Sequence, residues 1–347
     1  MKAHTFARSL VMVAVAFSLL AALLVSRAAL AQPAQTITLK VADSFPTTHY
    51  VVNQATKPWM DRVVQLSTTK VVFEYYPSEQ LGKANDMLNL VRSGVADIVY
   101  TSPGSNTGEF PLHGIVSLPG LYDSSTEGLT IIKELYKEAP LQEEWTKKGV
   151  QPLIVWALPN YEIFSTKAVI KVEDVKGLKL RSFGGALDWT IKALGGVPVS
   201  IPAADMYTAL QRSTVDGVIT PYTSAQSYKL EEICKYATLG ARLSASTPVY
   251  CIRIDRLQKL PADVRNAMTK ATEETVARVC KYQDDQVAQV VVDFEKKGVK
   301  INRLSKDDAR LWQKALDPVT EQWIRQMETR GLPGKQVVDA LRRVTGR

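Results

Sequence analysis

Two stretches of the chain repeat one another, and this repeat constrains the fold more than any other feature. Residues 86–101, DMLNLVRSGVADIVYT, align with residues 205–220, DMYTALQRSTVDGVIT. Both open on Asp-Met, place an aspartate eleven positions later (Asp97 and Asp216), and end on a threonine after a short apolar run (Thr101 and Thr220). Each reads as helix, turn, strand. Two ordinary helix–strand units could coincide this far. The alternative is a pair of similar α/β lobes whose strand ends face one cleft. Ligands of open α/β sheets bind beyond the carboxyl ends of the strands, so Thr101 and Thr220 become candidate cleft residues from opposite lobes.

The surrounding pattern agrees with an α/β fold. Ile37–Val41 alternates at period two, and Val71–Tyr75 is a β-branched and aromatic run. Helical spacing separates them over Val51–Leu66, and strand and helix signals keep alternating through Gln151–Ala157, Gly177–Arg181, Leu187–Leu194 and Val249–Ile254. Pro261 then opens an unbroken helical segment reaching about Lys297, with a buried stripe through Val264, Ala267, Met268, Ala271, Val279, Val287, Val290, Val291 and Phe294. A helix of that length spans about 54 Å, more than one small lobe. Ser305, ahead of Asp307 and Asp308, is placed to cap a further helix carrying Trp312, Leu316 and Trp323. The two tryptophans suit either a core or an interface. A chain of 347 residues exceeds one ordinary domain, consistent with two lobes that each bury a core.

The amino terminus reads as an export signal. Lys2 and Arg8 precede an apolar run from Ser9 to Val25, and Ala29-Leu30-Ala31 fits the small-x-small rule for cleavage after Ala31. An uncleaved anchor helix is the alternative, because the run is marginal for a membrane span. No later stretch is long and apolar enough to span, so the mature chain is not expected to be membrane-embedded. Removing residues 1–31 takes away three cations and no acid, lowering the net charge from +8 to +5. This bias is mild, and no dense basic run with interleaved aromatics occurs, which argues against nucleic acid as a partner. In an oxidising compartment Cys234 and Cys251 could close a short loop, but three cysteines make no disulfide framework, and buried free thiols fit as well.

Chemistry is scarce. Beyond the leader only His49 and His113 remain, and no Gly-x-Ser-x-Gly elbow occurs. Clustered zinc ligands are lacking, and Gly82-Lys83 is followed by Ala84 where a phosphate loop needs Ser or Thr. Adjacent acids such as Glu143-Glu144 and Asp284-Asp285 neighbour basic residues and read as solvated helix faces. The expectation is a binder without catalytic residues, metal or cofactor.

From Leu81 onward the chain carries a specific series of motifs. Leu81-Gly82-Lys83 leads into an amphipathic helix and Gly94-x-x-Asp97. Then come Val172-Glu173-Asp174-Val175-Lys176-Gly177-Leu178-Lys179-Leu180-Arg181, Ala193-Leu194-Gly195-Gly196-x-Pro198, Tyr207-Thr208-Ala209-Leu210-Gln211 and Val215-Asp216-Gly217. In order and spacing, from about residue 36 to 330, the chain resembles the solute-binding proteins of tripartite ATP-independent periplasmic (TRAP) transporters, of the dicarboxylate-binding type. The resemblance implies a two-lobed periplasmic binding protein fold with a hinge and a long helix behind both lobes. It places residues 36–157 and 247–287 in lobe I, and residues 158–246 and 288–347 in lobe II. A small carboxylate would close the cleft and be delivered in the periplasm to the transporter's membrane subunits.

Within that resemblance Arg181 matches the arginine that holds the substrate carboxylate. A planar guanidinium pairs two donors with two carboxylate oxygens, which fixes orientation as well as charge. Other positions depart from the pattern. Tyr161 stands where many members carry a second arginine, Thr220 where asparagine is common, and Ala203 where a bulky apolar residue is common. Ser44 occupies a first-lobe polar contact position. Fewer cations and more open volume argue against a simple C4-dicarboxylate. The nearby aromatics Trp156, Phe183, Trp189 and Tyr222 suggest a monocarboxylate with an apolar or aromatic body, although Trp156 and Trp189 also suit core packing. No ligand cluster for an assisting cation is evident. A secreted enzyme, or a sensor-input binding module on the same lobes, is the alternative function.

Overall fold

In the computed structural model, which describes residues 36–346, the chain builds one sheet, crosses to a second, and returns. The expected signal peptide and its cleavage after Ala31 lie outside the described residues. The first sheet begins with β1 (Ile37–Ala42), β2 (Val71–Tyr76), β3 (Ile98–Thr101) and β4 (Val150–Val155). The chain then crosses to lay down β5 (Glu162–Ser165), β6 (Lys179–Ser182), β7 (Val197–Ser200), β8 (Gly217–Thr220) and β9 (Tyr236–Leu239). It goes back to the first sheet as β10 (Val249–Arg253), and β11 (Lys300–Arg303) completes the second.

The two sheets share one topology. The orders are β2-β1-β3-β10-β4 and β7-β6-β8-β5-β9-β11. In each, three neighbouring strands run parallel, and the fourth, β10 or β5, is antiparallel. Each antiparallel strand is contributed from across the gap between sheets, so neither lobe is one continuous piece of chain.

The sequence repeat has a matching geometry. A 3-10 turn (Ala84–Asp86) and a short helix (Met87–Ser93) lead into β3, and a 3-10 turn (Ala203–Asp205) and helix (Met206–Gln211) lead into β8. The helices end at Gly94 and Ser213, both in the left-handed region, at φ +79° and +54°. Gly94 adopts it without steric cost, whereas serine does so at some strain. The two aspartates then perform the same task. Asp97 N–H donates to the Lys40 carbonyl at 2.9 Å and its carboxylate accepts from Lys40 N–H at 2.8 Å. Asp216 N–H donates to the Lys179 carbonyl at 2.7 Å and its carboxylate accepts from Lys179 N–H at 2.9 Å. Each aspartate clamps the entry of the helix-following strand to the neighbouring strand, β1 or β6.

The long helix runs from Ala262 to Lys296, about 50 Å. It packs against the helices Lys57–Leu66 and Ser125–Leu135 beside the first sheet, and against Tyr222–Ser227 beside the second. It ends where Gly298 turns left-handed at φ +88° and Val299 N–H reaches back to the Phe294 carbonyl. Ser305 caps the next helix, Lys306–Thr329, by accepting from Asp308 N–H. That helix packs on Ala186–Ala193 of the second lobe, and the last, Gly334–Thr345, packs on Ser125–Leu135 of the first. Trp312 and Trp323 are both buried in the core. Among the described residues no helix is long and apolar enough to cross a membrane.

Two expectations are refined. The helix read over Val51–Leu66 opens as a wide π turn, Val52–Thr56, before the regular turns of Lys57–Leu66. Pro58 has no N–H to give Gln54, so the α ladder cannot run through this point. Arg278 donates to the Gln54 carbonyl at 3.1 Å instead. The three cysteines are buried free thiols, so the alternative of a Cys234–Cys251 disulfide falls. Cys251 lies on β10 of the first sheet, and Cys234 lies in the separate core beneath the second.

If the aspartate clamps fix the two strand units, Asp97→Ala and Asp216→Ala should each lower unfolding stability by about 1–3 kcal/mol. Urea denaturation of the unliganded protein measures this, and losses within ~0.5 kcal/mol of wild type would refute the clamp.

Candidate functional site

A cavity of about 380 Å³ lies between the lobes, walled by the carboxyl ends of strands from both sheets. Thr101 ends β3 and Thr220 ends β8, and both line it. From the first lobe come Ser44, Phe45, His49 and Tyr100; from the second come Arg181, Phe183, Ala203 and Tyr228. Tyr161 enters from the segment joining the lobes and sets its ring edge-on to Phe183 at 5.6 Å.

Arg181 sits mid-strand on β6, opposite Val199 of β7 and Val218 of β8. Its side chain is only 4 % exposed. Nε donates to the Ile201 carbonyl at 2.7 Å, and Nη1 approaches the Ile219 carbonyl at 3.5 Å. These carbonyls at the ends of flanking strands orient the fork. Among the described residues no carboxylate lies within ion-pair distance of it. Burial lowers the guanidinium's pKa from its ordinary value, against the opposing influence of Tyr161, Tyr228 and Tyr100. Arginine nevertheless stays charged in proteins, so a cation is held in a cavity without a protein counter-ion.

The first-lobe wall is aromatic. Phe45 stacks on His49 at 4.6 Å and tilts against Tyr100 at 4.6 Å, while His49 meets Tyr228 of the opposite lobe at 5.1 Å. His49 Nδ1 accepts from Val51 N–H at 3.2 Å, and burial lowers its pKa to about 3. The imidazole is therefore neutral. Behind this wall, Asp43 follows β1 and organises the turn. Its carboxylate accepts from Phe45 N–H at 3.0 Å, Tyr75 hydroxyl at 2.8 Å and Tyr250 hydroxyl at 2.7 Å. Burial nevertheless raises its pKa to about 6, with the hydrogen bonds from Tyr250, Tyr75 and Phe45 opposing.

At one rim the lobes come very close. Gly185, at φ +61°, faces the 102–108 loop of the first lobe, where a Cβ would stand 2.9 Å from the Gly104 carbonyl oxygen. Ser102, Ser105 and Asn106 of that loop line the cavity. Across the gap Tyr50 N–H donates to Ser227 Oγ at 3.4 Å.

Of the residues singled out by sequence, the cavity brings together Arg181, Tyr161, Thr220, Thr101, Ser44, Phe183 and Ala203. Tyr222 and Trp156 are corrections. Tyr222 starts a helix that turns its ring under the second sheet, where it packs on Phe164 at 4.8 Å and donates to the Thr238 carbonyl at 2.7 Å. Trp156 is fully buried and stacks on Tyr250 at 6.3 Å, in the core of the first lobe. Trp189 lines a separate small pocket together with Gly185 and Trp323 and is not part of the cavity wall. Sequence reasoning missed Phe45, His49, Tyr100 and Tyr228. Phe45 directly follows Ser44, and Tyr100 directly precedes Thr101, so the strand-end argument reached their neighbours. His49 and Tyr228 gave no signal without the fold. Among the described residues no group of histidine, cysteine and acidic side chains could hold a metal ion.

With this geometry established, comparison with known proteins is informative. Residues 41–326 match the model of the bacterial extracellular solute-binding proteins, family 7. A solute-binding protein of Albidiferax ferrireducens is 29 % identical over 299 residues, 81 % of this chain and 84 % of its own. The crystal structure of a TRAP solute-binding protein from Rhodoferax ferrireducens, in complex with copurified benzoate, superposes with a TM-score of 0.83 at 25 % identity, covering 89 % of this chain and 98 % of that one. A marine metagenome TRAP solute-binding protein crystallised with 3-hydroxybenzoate shares the fold at a TM-score of 0.82 and 24 % identity, covering 90 % of this chain and 98 % of that one.

The raised pKa of Asp43 has a testable sign. Protonation favours the folded state, so its stabilising contribution is complete below about pH 4 and is lost as pH rises through about 6. The stability of wild type relative to Asp43→Asn should therefore decline between pH 4 and 7 in chemical denaturation. A flat difference across that range would contradict the assignment.

Proposed function

The chain belongs to the bacterial extracellular solute-binding proteins of family 7, and from that premise we propose that it captures a small organic monocarboxylate with an apolar or aromatic body. The observation that carries this reading is the buried guanidinium of Arg181, which faces the inter-lobe cavity without a protein counter-ion. A buried charge left unpaired is costly, and a ligand carboxylate supplies the missing partner with two parallel hydrogen bonds. Phe45, Tyr100, Tyr161, Phe183 and Tyr228 would wall the body of the ligand, with Thr101, Thr220 and Ser44 offering hydroxyls at its edges. The benzoate held by the Rhodoferax protein supports an aromatic acid.

The remaining roles follow the family. The protein works in the periplasm, exported by the leader cleaved after Ala31, and hands its ligand to the membrane subunits of a TRAP transporter. Lobe I comprises residues 36–157 and 247–287, and lobe II comprises 158–246 and 288–347. Closure of one lobe on the other is favoured because the ligand touches both, and so binds the closed form more tightly than the open one. The acid is released unchanged. His113 is held away from the cavity between Glu144 at 2.6 Å and the Trp145 indole at 2.7 Å, and His49, which lines the cavity, is stacked on Phe45.

A thermal-shift screen against aliphatic, aromatic and 2-oxo acids tests the reading. A true ligand at a hundredfold excess over its dissociation constant should stabilise the protein by about 2.7 kcal/mol. Arg181→Ala should abolish that response while the unliganded protein melts at or near the wild-type temperature. An undiminished response in the variant, or no response of wild type to any acid, would refute the proposal. Gly185→Ala probes closure separately. Its added methyl would meet the Gly104 carbonyl in the closed form, so acid affinity should fall about tenfold in calorimetry; unchanged affinity would show that the rim does not close as described.

A further inference from the structure

Among the described residues, two side chains lining the cavity carry a full charge: Arg181 and Glu79. His49 also lines it but is neutral. Glu79 belongs to the tight turn after β2 and is held by the segment that forms the aromatic wall. Its N–H donates to the Asp43 carbonyl at 3.0 Å, and Ser78 N–H donates to the Phe45 carbonyl at 3.0 Å. Ser78 and Glu79 both occupy the left-handed region, at φ +56° and +63°, a strained conformation that no glycine relieves here.

This turn fixes the Glu79 carboxylate at the cavity's first-lobe edge. One oxygen accepts from Ala84 N–H, itself a lining residue, at 2.9 Å, and the other accepts from Lys83 at 2.8 Å. The lysine side chain is 80 % exposed and the glutamate side chain only 15 %. The cation is thus screened by solvent while the anion is largely shielded from it, so Lys83 offsets Glu79 only in part. Burial raises the pKa of Tyr228 of the opposite lobe; Arg181 lowers it, and Asp43, Tyr161 and, least of these, Glu79 raise it. The phenol therefore lies in the fields of both groups, with the cation and the anion contributed by different lobes.

We propose that Glu79 is a specificity-determining residue that makes the cavity select monocarboxylates and reject dicarboxylates. This rests on the carboxylate-binding reading of Arg181. One carboxylate satisfies the guanidinium. A second, on the same ligand, would find no other cation among the described residues that line the cavity and would enter the field of Glu79, where like charges repel.

The test compares diacids with their own monomethyl esters, which keep the shape and remove one charge. Isothermal titration calorimetry would measure succinate, isophthalate and terephthalate against those esters, with benzoate as reference. Wild type should bind at least one monoester about tenfold or more tightly than its diacid. Glu79→Gln, whose amide oxygen can still accept from Ala84 N–H, should narrow that ratio about tenfold. Lys83→Ala, which strips Glu79 of its exposed partner, should widen it. Equal binding within the pairs, ratios unmoved by both variants, or monoesters that fail where benzoate binds would each overturn the inference. Failure of every acid to bind, benzoate included, would instead overturn the carboxylate reading beneath it.

Discussion

The cavity is organised around one unpaid charge. Arg181 is nearly inaccessible, is oriented by the carbonyls of Ile201 and Ile219, and meets no carboxylate among the described residues. Carbonyl dipoles solvate a guanidinium in part, but they do not neutralise it. Removing water from a cleft around such a group is favourable only when an anion enters with it. The same guanidinium that costs stability in the empty protein therefore makes affinity and enclosure rise together, which is the property a binding protein needs if its bound form is to differ from its free one.

Around that charge the fold supplies two wings of matching design. The helix–strand units at 86–101 and 205–220 end on Thr101 and Thr220, and the clamps made by Asp97 and Asp216 pin each unit to its neighbour strand by the same pair of backbone contacts. The lobes differ in what they place at those strand ends. The first lobe offers an aromatic stack, Phe45, His49 and Tyr100, backed by buried Asp43. The second offers the cation. A ligand with a flat apolar body and one carboxylate complements this division of labour, because each half of it meets the lobe suited to it.

Much of this was legible in the sequence, for a physical reason. Period-two and helical spacing report burial directly, so β1, the long helix and the cap at Ser305 could be placed to within a few residues. The strand-end argument located Thr101 and Thr220, and the motif around residues 172–217 located Arg181. Tyr222 and Trp156 went astray because they lie just past strand ends, Trp156 one residue after β4 and Tyr222 two after β8, where the next turn of chain decides the direction of a side chain. Pro221 leads straight into a helix that winds Tyr222 beneath the sheet. Trp156 sits where the chain leaves β4 for the crossing, and its ring stays with Tyr250 in the core. His49 and Tyr228 meet across the lobes from positions far apart in sequence, a contact that no local pattern encodes.

The π turn at Val52–Thr56 shows how a local chemical constraint shapes the same site. Pro58 cannot complete an α ladder, so the helix enters wide, and His49, Tyr50 and Val51 just before it form part of the cavity wall. Arg278 of the long helix then satisfies the carbonyl that proline leaves open. The aromatic wall is thereby tied to the long helix, which packs against both lobes. Tyr50 strengthens the tie, because its hydroxyl donates to Gln283 of that helix at 2.8 Å while its N–H reaches Ser227 of the second lobe. The cavity wall and the long helix thus share hydrogen bonds at both Gln54 and Tyr50.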